Sequence, residues 1–235
     1  MNLFYSGNIN NEKTQIVLTN QEHAHLSKVL RKSTGDLINI TDGLGYIYEC
    51  RIDEIVKGAT ILSVLNSYQD DIEYPQLTIA ISITKKISRF EWFLEKATEI
   101  GVYSIIPIIS QHSEKSRLNF DRCTKILVSA MKQSLRTRLP ILNAPIGFND
   151  YIKRTAEIDK KFIATCKADN PVLLKYELKK GLSTEILIGP EGGFSEKEIN
   201  NAKNTNFTPV SLGQSRLRTE TAGVSACMIF SIINS

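Results

Sequence analysis

The chain has 235 residues, with 29 Lys and Arg against 25 Asp and Glu for a net charge of +4, and it is 42% hydrophobic and 23% charged. That composition excludes a disordered, collagen-like or membrane-embedded chain and allows one large domain or two modest ones. The most apolar run, residues 224–233, is about ten residues long and holds two serines, too short to span a bilayer. The first residues lack the basic, apolar, small-residue order of a secretion signal, so a cytoplasmic protein without a membrane partner is expected. Cys50, Cys123, Cys166 and Cys227 are far apart, and no His lies at zinc-finger spacing. Neither a metal site nor a disulfide framework is expected. His23 and His25, two apart in a helical stretch, face different ways and do not share a metal.

In chain order, Thr19 with Glu22 reads as a capping box opening a helix over 21–30. Strands follow at 36–41, 46–55 and 59–65, separated by the turn signals Asp42-Gly43-Leu44-Gly45 and Lys57-Gly58. This first part, residues 1–70, suits a small β-barrel with one helix. Residues 66–75 are polar and acidic and end in Pro75, as a linker would. Residues 1–72 hold six basic and nine acidic side chains, net −3, and residues 73–235 hold twenty-three and sixteen, net +7.

From 73 to 235 strands and helices alternate, which argues for an α/β domain on a mostly parallel sheet. A buried strand at 77–83 leads to a helix with an apolar face of Phe90, Phe93, Leu94, Ala97 and Ile100, closed by Gly101. A strand at 104–109 precedes a long helix whose buried face reads Phe120, Cys123, Leu127, Ala130 and Ser134. Further strands are expected at 162–166, 185–189 and 208–212, with helices at 195–203 and 219–232. The last helix, apolar nearly all round, belongs in the core or in a subunit interface.

Three stretches could carry chemistry. Residues 185–198 run from a strand into a loop with Gly189, Gly192 and Gly193, then into a helix opened by a Ser195/Glu198 capping box. Such a loop is either a tight turn or a place where ligand meets backbone, and strand carboxyl ends are where open α/β sheets bind ligands. No phosphate-loop or dinucleotide fingerprint occurs, and Glu191 would repel phosphate, which favours a nucleoside-like ligand without phosphate. A second loop, 211–222, has its turn at Gly213, the cations Arg216 and Arg218, and Thr219 as an N-cap. Arg218 and Glu220 either act on a ligand or pair at the surface. The third stretch, 112–138, holds seven basic and two acidic residues, and Arg122, Lys125, Ser129, Lys132 and Arg136 share one helix face. Such a ridge is either a solvated face or a nucleic-acid contact. Lys115, Arg117 and Arg138 extend it, and Lys85, Lys86 and Arg89 are candidates to join it.

Gly189-Pro-Glu-Gly-Gly-Phe-Ser195 and Leu212-Gly-x-x-x-Leu-Arg-Thr-Glu-Thr-Ala222 resemble the two signature loops of the SPOUT methyltransferases of the RsmE branch, the 16S rRNA uridine N3-methyltransferases. His25-Leu-Ser-Lys-Val-Leu-Arg31, Glu95-Lys-Ala-Thr-Glu-Ile-Gly-Val102 and Ala130-x-x-Gln-Ser-x-Arg136 agree with it, so the match spans nearly the whole chain in order. The resemblance implies a PUA-like β-barrel, then a SPOUT domain threaded as a trefoil knot, working as a homodimer without metal. It implies S-adenosyl-L-methionine held by Thr165, Ile188, Gly189, Pro190, Gly192, Gly193, Ser211, Leu212, Gly213, Leu217 and Arg218. The expected substrate is 16S rRNA, free or in the assembled small ribosomal subunit.

For methyl transfer to uridine N3, a proton must leave and the negative charge must be stabilised. Arg218 is the first candidate for the second task and Arg136 another, with Glu220 as a possible base. Family members begin with an arginine near an aromatic pair, whereas Leu3-Phe-Tyr-Ser6 has no cation. RNA contact is therefore expected on Lys85, Arg89, Lys115, Arg117, Arg122, Lys125, Lys132, Arg136 and Arg138, ahead of Lys13 and Lys57 in the acidic first part. The alternatives are a SPOUT enzyme acting on tRNA or on a ribose hydroxyl, and a non-catalytic RNA-binding ribosome-assembly factor.

Overall fold

The computed structural model describes residues 3–7, 9, 14–70, 75–154, 157–166 and 171–235. Lys13 and residues 71–74 of the expected linker lie outside the described residues. The chain forms two compact units, Met1–Ile72 with Val128–Leu139, and Glu73–Leu127 with Pro140–Ser235.

The first unit is built on β1 (Leu3–Tyr5), β2 (Gln15–Thr19), α1 (Asn20–Ala24) continued by a π-helical turn at His25–Val29, β3 (Leu37–Thr41), β4 (Tyr46–Val56) and β5 (Ala59–Gln69). The sheet order is β1-β3-β4-β5-β2, with β1 parallel to β3 and the other pairs antiparallel. Alternation along the strands turns Ile38, Ile40, Tyr48, Cys50, Ile52 and Leu62 to one side, where they bury Phe4, Ile16, Leu18 and Leu26. Register shifts at Glu49/Cys50 and Ile52/Glu54 add local twist, which curls the long β4–β5 pair around this core.

The capping box expected at Thr19 does not form. Thr19 makes no side-chain cap, and Asn20 sits at φ 51°, outside helical backbone. Glu22 instead accepts the Tyr5 N–H at 3.3 Å and pairs with Lys132.

The second unit contains β6 (Leu77–Ser82), α2 (Ile87–Ile100), β7 (Ser104–Ile109), α3 (Phe120–Gln133), β8 (Ile141–Leu142), β9 (Ile146–Gly147), α4 (Phe148–Tyr151), β10 (Lys160–Ala164), β11 (Val172–Leu173), α5 (Leu174–Glu177), β12 (Thr184–Ile188), α6 (Glu196–Lys203), β13 (Thr208–Ser211) and α7 (Thr219–Asn234). Its sheet runs β11-β13-β10-β12-β6-β7-β8, β9 also pairs with β7, and each of these pairings is parallel. Every residue of β6 and β12 is buried, as continuous apolar strands covered on both faces should be.

Two further helix ends depart from expectation. The last turn of α3 falls in the first unit, and the helix stops at Gln133. Leu135 takes φ 56°, and the Arg136 N–H reaches back to the Met131 carbonyl at 3.0 Å. This is a left-handed termination with leucine where glycine is usual. Ser134 and Arg136 therefore lie past the helix, Phe120 is partly exposed, and Met131 fills the core.

Thr219 is the first residue of α7, and its hydroxyl donates to the Gly189 carbonyl at 2.9 Å instead of capping. On α7, Gly223, Ala226, Cys227 and Phe230 are buried, but Met228 and Ile232 are 45% and 65% exposed, so one apolar face stays open. Gly101 ends α2 at φ 107° and the Ser195/Glu198 capping box opens α6, both as expected.

Two packing features generate tests. A Cβ at Gly223 would lie 2.6 Å from the Phe93 ring and 3.0 Å from Ile81. Gly223→Ala gains about 1 kcal/mol of helix propensity, but overpacking costs about 1–3 kcal/mol and a contact this short sits at the upper end. Thermal melting should show a lower midpoint for the variant.

The second feature is Glu185, buried at the start of β12, which accepts a hydrogen bond from the buried Tyr151 hydroxyl. Burial holds its carboxyl above the usual range, and the Tyr151 bond opposes that shift. A carboxyl whose folded pKa exceeds its unfolded one contributes stability at low pH that is lost as pH rises through the folded value. Tyr151→Phe removes the donor and raises that value further. Denaturant titration should show a deficit of about 1–3 kcal/mol near neutral pH, larger at about pH 8 than at about pH 5.

Candidate functional site

Three neighbouring strands of the second unit, β13, β10 and β12, end at the same edge, and their outgoing loops enclose a cleft of about 260 Å³. Thr165, Ile188, Gly189, Pro190, Gly192, Gly193, Leu212, Gly213 and Leu217 line it. Ser211 and Arg218 do not. The Ser211 hydroxyl donates to the Gly213 carbonyl at 2.8 Å and accepts its N–H at 3.2 Å, so this residue shapes the loop. Arg218 is exposed at the N-cap of α7. Cys166, Glu191, Phe194, Ser215, Arg216, Thr219 and Ala222 line the cleft as well; Cys166 follows Thr165 after β10, and the others lie close in sequence to glycines.

The glycines do more than bare their backbone to a ligand. At Gly189 a Cβ would meet the Phe194 backbone N and ring at 3.2 Å, and at Gly192 it would meet the His112 Cβ at 3.1 Å. Both spaces are taken by the protein's own residues. Gly193, at φ 70°, supplies the turn, and its carbonyl lies 2.9 Å from the His112 Nδ1. Gly213, at φ 149°, and Gly193 have no atom near their would-be Cβ and are the open positions.

Cross-links hold the loops together. Arg216 donates to the Glu191 carbonyl at 3.0 Å, and the Thr219 hydroxyl to that of Gly189. The Glu191 carboxylate accepts the Lys85 N–H at 3.1 Å. The walls are apolar at Ile188, Leu212, Leu217 and Ala222, with backbone amides, one acid at Glu191 and one cation at Arg216. Such a lining, largely apolar with one charge of each sign, receives an uncharged ring.

The surface pair between Arg218 and Glu220 is not formed. Glu220 is 6% exposed, and one oxygen lies 3.6 Å from the Arg89 Nε. Its Oε2 is buried without a hydrogen-bond partner. Arg136 belongs to the first unit, past the end of α3, so it does not extend the helical ridge.

Much of the expected cationic surface is engaged within the chain. Arg122 grips Glu91 with two nitrogens, which holds that carboxyl below the usual range. Lys85 pairs with Glu114 at 3.0 Å, Arg89 with Glu220, and Lys132 with Glu22. Lys115, Arg117 and Lys125 are exposed and without an ion-pair partner among the described residues. The four cysteines are free thiols, with only Cys166 exposed. Among the described residues no group of three or more His, Cys, Asp or Glu could hold a metal ion, and no helix is long and apolar enough to cross a membrane.

Comparison with known proteins bears on this cleft. Residues 72–231 match the RNA methyltransferase domain family, and residues 18–64 match the RNA methyltransferase PUA domain. The ribosomal RNA small subunit methyltransferase E of Synechocystis sp. is 30% identical over 88% of this chain and 69% of its own. A probable rRNA-methyltransferase of Porphyromonas gingivalis shares the fold at a TM-score of 0.93 with 36% identity, over 100% of this chain and 98% of that one. The ribosomal RNA small subunit methyltransferase E of Neisseria gonorrhoeae, solved bound to S-adenosyl methionine, has a TM-score of 0.89 at 26% identity, over 100% and 98% of the two chains. With an RNA methyltransferase domain over most of its length and a PUA domain before it, the chain belongs to the RNA methyltransferase family, in its ribosomal RNA small subunit methyltransferase E branch.

Proposed function

We propose that this chain uses S-adenosyl-L-methionine to methylate N3 of a uridine in the 16S rRNA of the small ribosomal subunit, as a cytoplasmic homodimer. The observation that carries the reading is the cleft at the ends of β10, β12 and β13, whose largely apolar, glycine-bearing lining suits the adenosine of that cofactor. Residues 73–235 supply this site, with the knotted threading that belongs to the family. Residues 1–70 supply accessory RNA contact. The open face of α7 at Met228 and Ile232 supports a second copy as its cover.

When bound, the cofactor supplies an electrophilic methyl group. Thr165, Ile188, Gly189, Pro190, Gly192, Gly193, Leu212, Gly213 and Leu217 would hold it, with Ser211 setting the Gly213 turn. The protein's part is to align the nucleobase and stabilise the anion left when the N3 proton departs, a charge shared with the flanking carbonyl oxygens. Arg218, exposed and next to Leu217 of the cleft, supplies the cation. Glu220, with an unpartnered Oε2, is the candidate proton acceptor. Arg136, in the first unit, fits RNA contact better than charge stabilisation. Lys115, Arg117 and Lys125 are the cations of the second unit best placed to meet RNA.

The direct test is mass spectrometry of rRNA nucleosides from a deletion strain, where 3-methyluridine should disappear. Survival of that nucleoside would overturn the reading. Two variants separate the roles. Gly192→Ala drives a Cβ toward His112, and calorimetry should show S-adenosylmethionine affinity falling about tenfold, or about 1.4 kcal/mol. Arg218→Ala should bind the cofactor normally yet methylate rRNA about 100-fold more slowly in single-turnover assays.

A further inference from the structure

The first 72 residues carry net −3, a poor electrostatic match for RNA. The folded unit is different, because Val128–Leu139 belongs to it and brings Lys132, Arg136 and Arg138 with no acid, which raises its net charge to zero. The segment is fastened along the turn between β3 and β4. The Thr41 hydroxyl and the Gly45 N–H both donate to the Thr137 carbonyl, at 2.9 and 3.1 Å, and the Leu139 N–H donates to the Gly43 carbonyl at 2.8 Å. Thr137 also donates its hydroxyl to Asp70 at 3.0 Å. Between those ties Arg138 forms a β-bridge with Leu44, and its Nη1 donates to the Leu44 carbonyl at 2.9 Å.

The guanidinium rests against Gly45, where a Cβ would fall 2.7 Å from both its Cζ and its Nη2. Gly45, at φ 105°, is a glycine for the turn, and it also gives the arginine its seat. Asp42 of the same turn makes no ion pair with it. Asp42 accepts the Leu44 N–H at 2.7 Å, the Tyr46 N–H at 3.2 Å and the Tyr48 hydroxyl at 3.3 Å. Arg138 is exposed, held to a neutral carbonyl, and without an ion-pair partner among the described residues. Leu44, at the tip of the same turn, is 71% exposed.

A guanidinium fixed at an exposed turn, with its charge uncompensated and part of its rotamer entropy already lost, is arranged to receive a planar anion. We infer that Arg138, seated on Gly45, is a phosphate-contacting residue through which the first unit holds the RNA backbone. The inference rests on the rRNA-methyltransferase reading above.

The test uses full-length protein and purified small ribosomal subunits or their 16S rRNA. Arg138→Gln keeps a donor for the Leu44 carbonyl and loses the charge. Arg138→Lys keeps the charge and loses the fork. For Arg138→Gln we expect unchanged melting and S-adenosylmethionine binding, about tenfold weaker RNA affinity, and a log K against log salt slope smaller by about one. Arg138→Lys should recover the slope and part of the affinity. Wild-type slope and affinity in Arg138→Gln overturn the inference, as does a fall in its melting temperature without a change in slope, which marks a purely structural clip. A wild-type protein that neither binds the RNA nor forms 3-methyluridine overturns the function proposal itself, so the two failures are told apart.

Discussion

The site of this protein depends on parallel strands ending together. In a parallel sheet every strand delivers its carboxyl end to the same edge, so three loops that are distant in sequence, after Ala164, Ile188 and Ser211, come out side by side. Loops placed there still need a fixed shape. The Thr219 hydroxyl on the Gly189 carbonyl and the Arg216 guanidinium on that of Glu191 join the last loop to the one before it. Because Thr219 is the first residue of α7, the same bond also fixes where that helix starts. Helix, loop and cleft are therefore one mechanical unit, and the burial of Gly223 against Phe93 anchors the helix below it.

The second unit was legible because its signals are strong and local. Apolar runs at 77–83, 104–109 and 185–189 are too short for helices and too apolar for edge strands, and each is a strand with at most one or two residues trimmed. The Ser195/Glu198 box worked and the Thr19/Glu22 box did not, although both have the same spacing. The difference is tertiary. Glu198 is free to close its own cap and to accept the Gln111 N–H, whereas Glu22 is claimed by Tyr5 and Lys132, the latter 110 residues away. No local pattern carries that information. The same holds for the end of α3, where leucine adopts a backbone normally left to glycine.

The glycines of the first signature loop show a subtler limit. Their number pointed to close backbone approach, and the cleft is there, but His112 and Phe194 are what approach Gly192 and Gly189. Composition shows that something must come near and leaves its identity open. The loops lack lysine and carry Glu191, but in the folded lining Arg216 stands beside that acid, so the cleft is apolar with one charge of each sign.

Charge required the structure most. The whole-chain +4, the −3 of the first 72 residues and the +7 of the remainder treat every basic side chain alike. In the folded protein Arg122, Lys132, Lys85 and Arg89 meet carboxylates. An engaged cation adds little to the attraction of a polyanion, because its near field is already cancelled and its partner must be displaced before phosphate can take its place. The electrostatic surface thus contracts to fewer residues than the sequence lists, with Lys86, Lys115, Arg117 and Lys125 exposed and outside any ion pair among the described residues of one unit and Arg138 in the other. The ridge on α3 is divided as well, since the helix begins in one unit and ends in the other. A boundary drawn along the sequence gives all the basic residues of α3 to the catalytic part. The fold returns the last of them, Lys132, to the first unit, and with Arg136 and Arg138 beyond the helix this brings the net charge of that unit from −3 to zero and sets a cation at its turn.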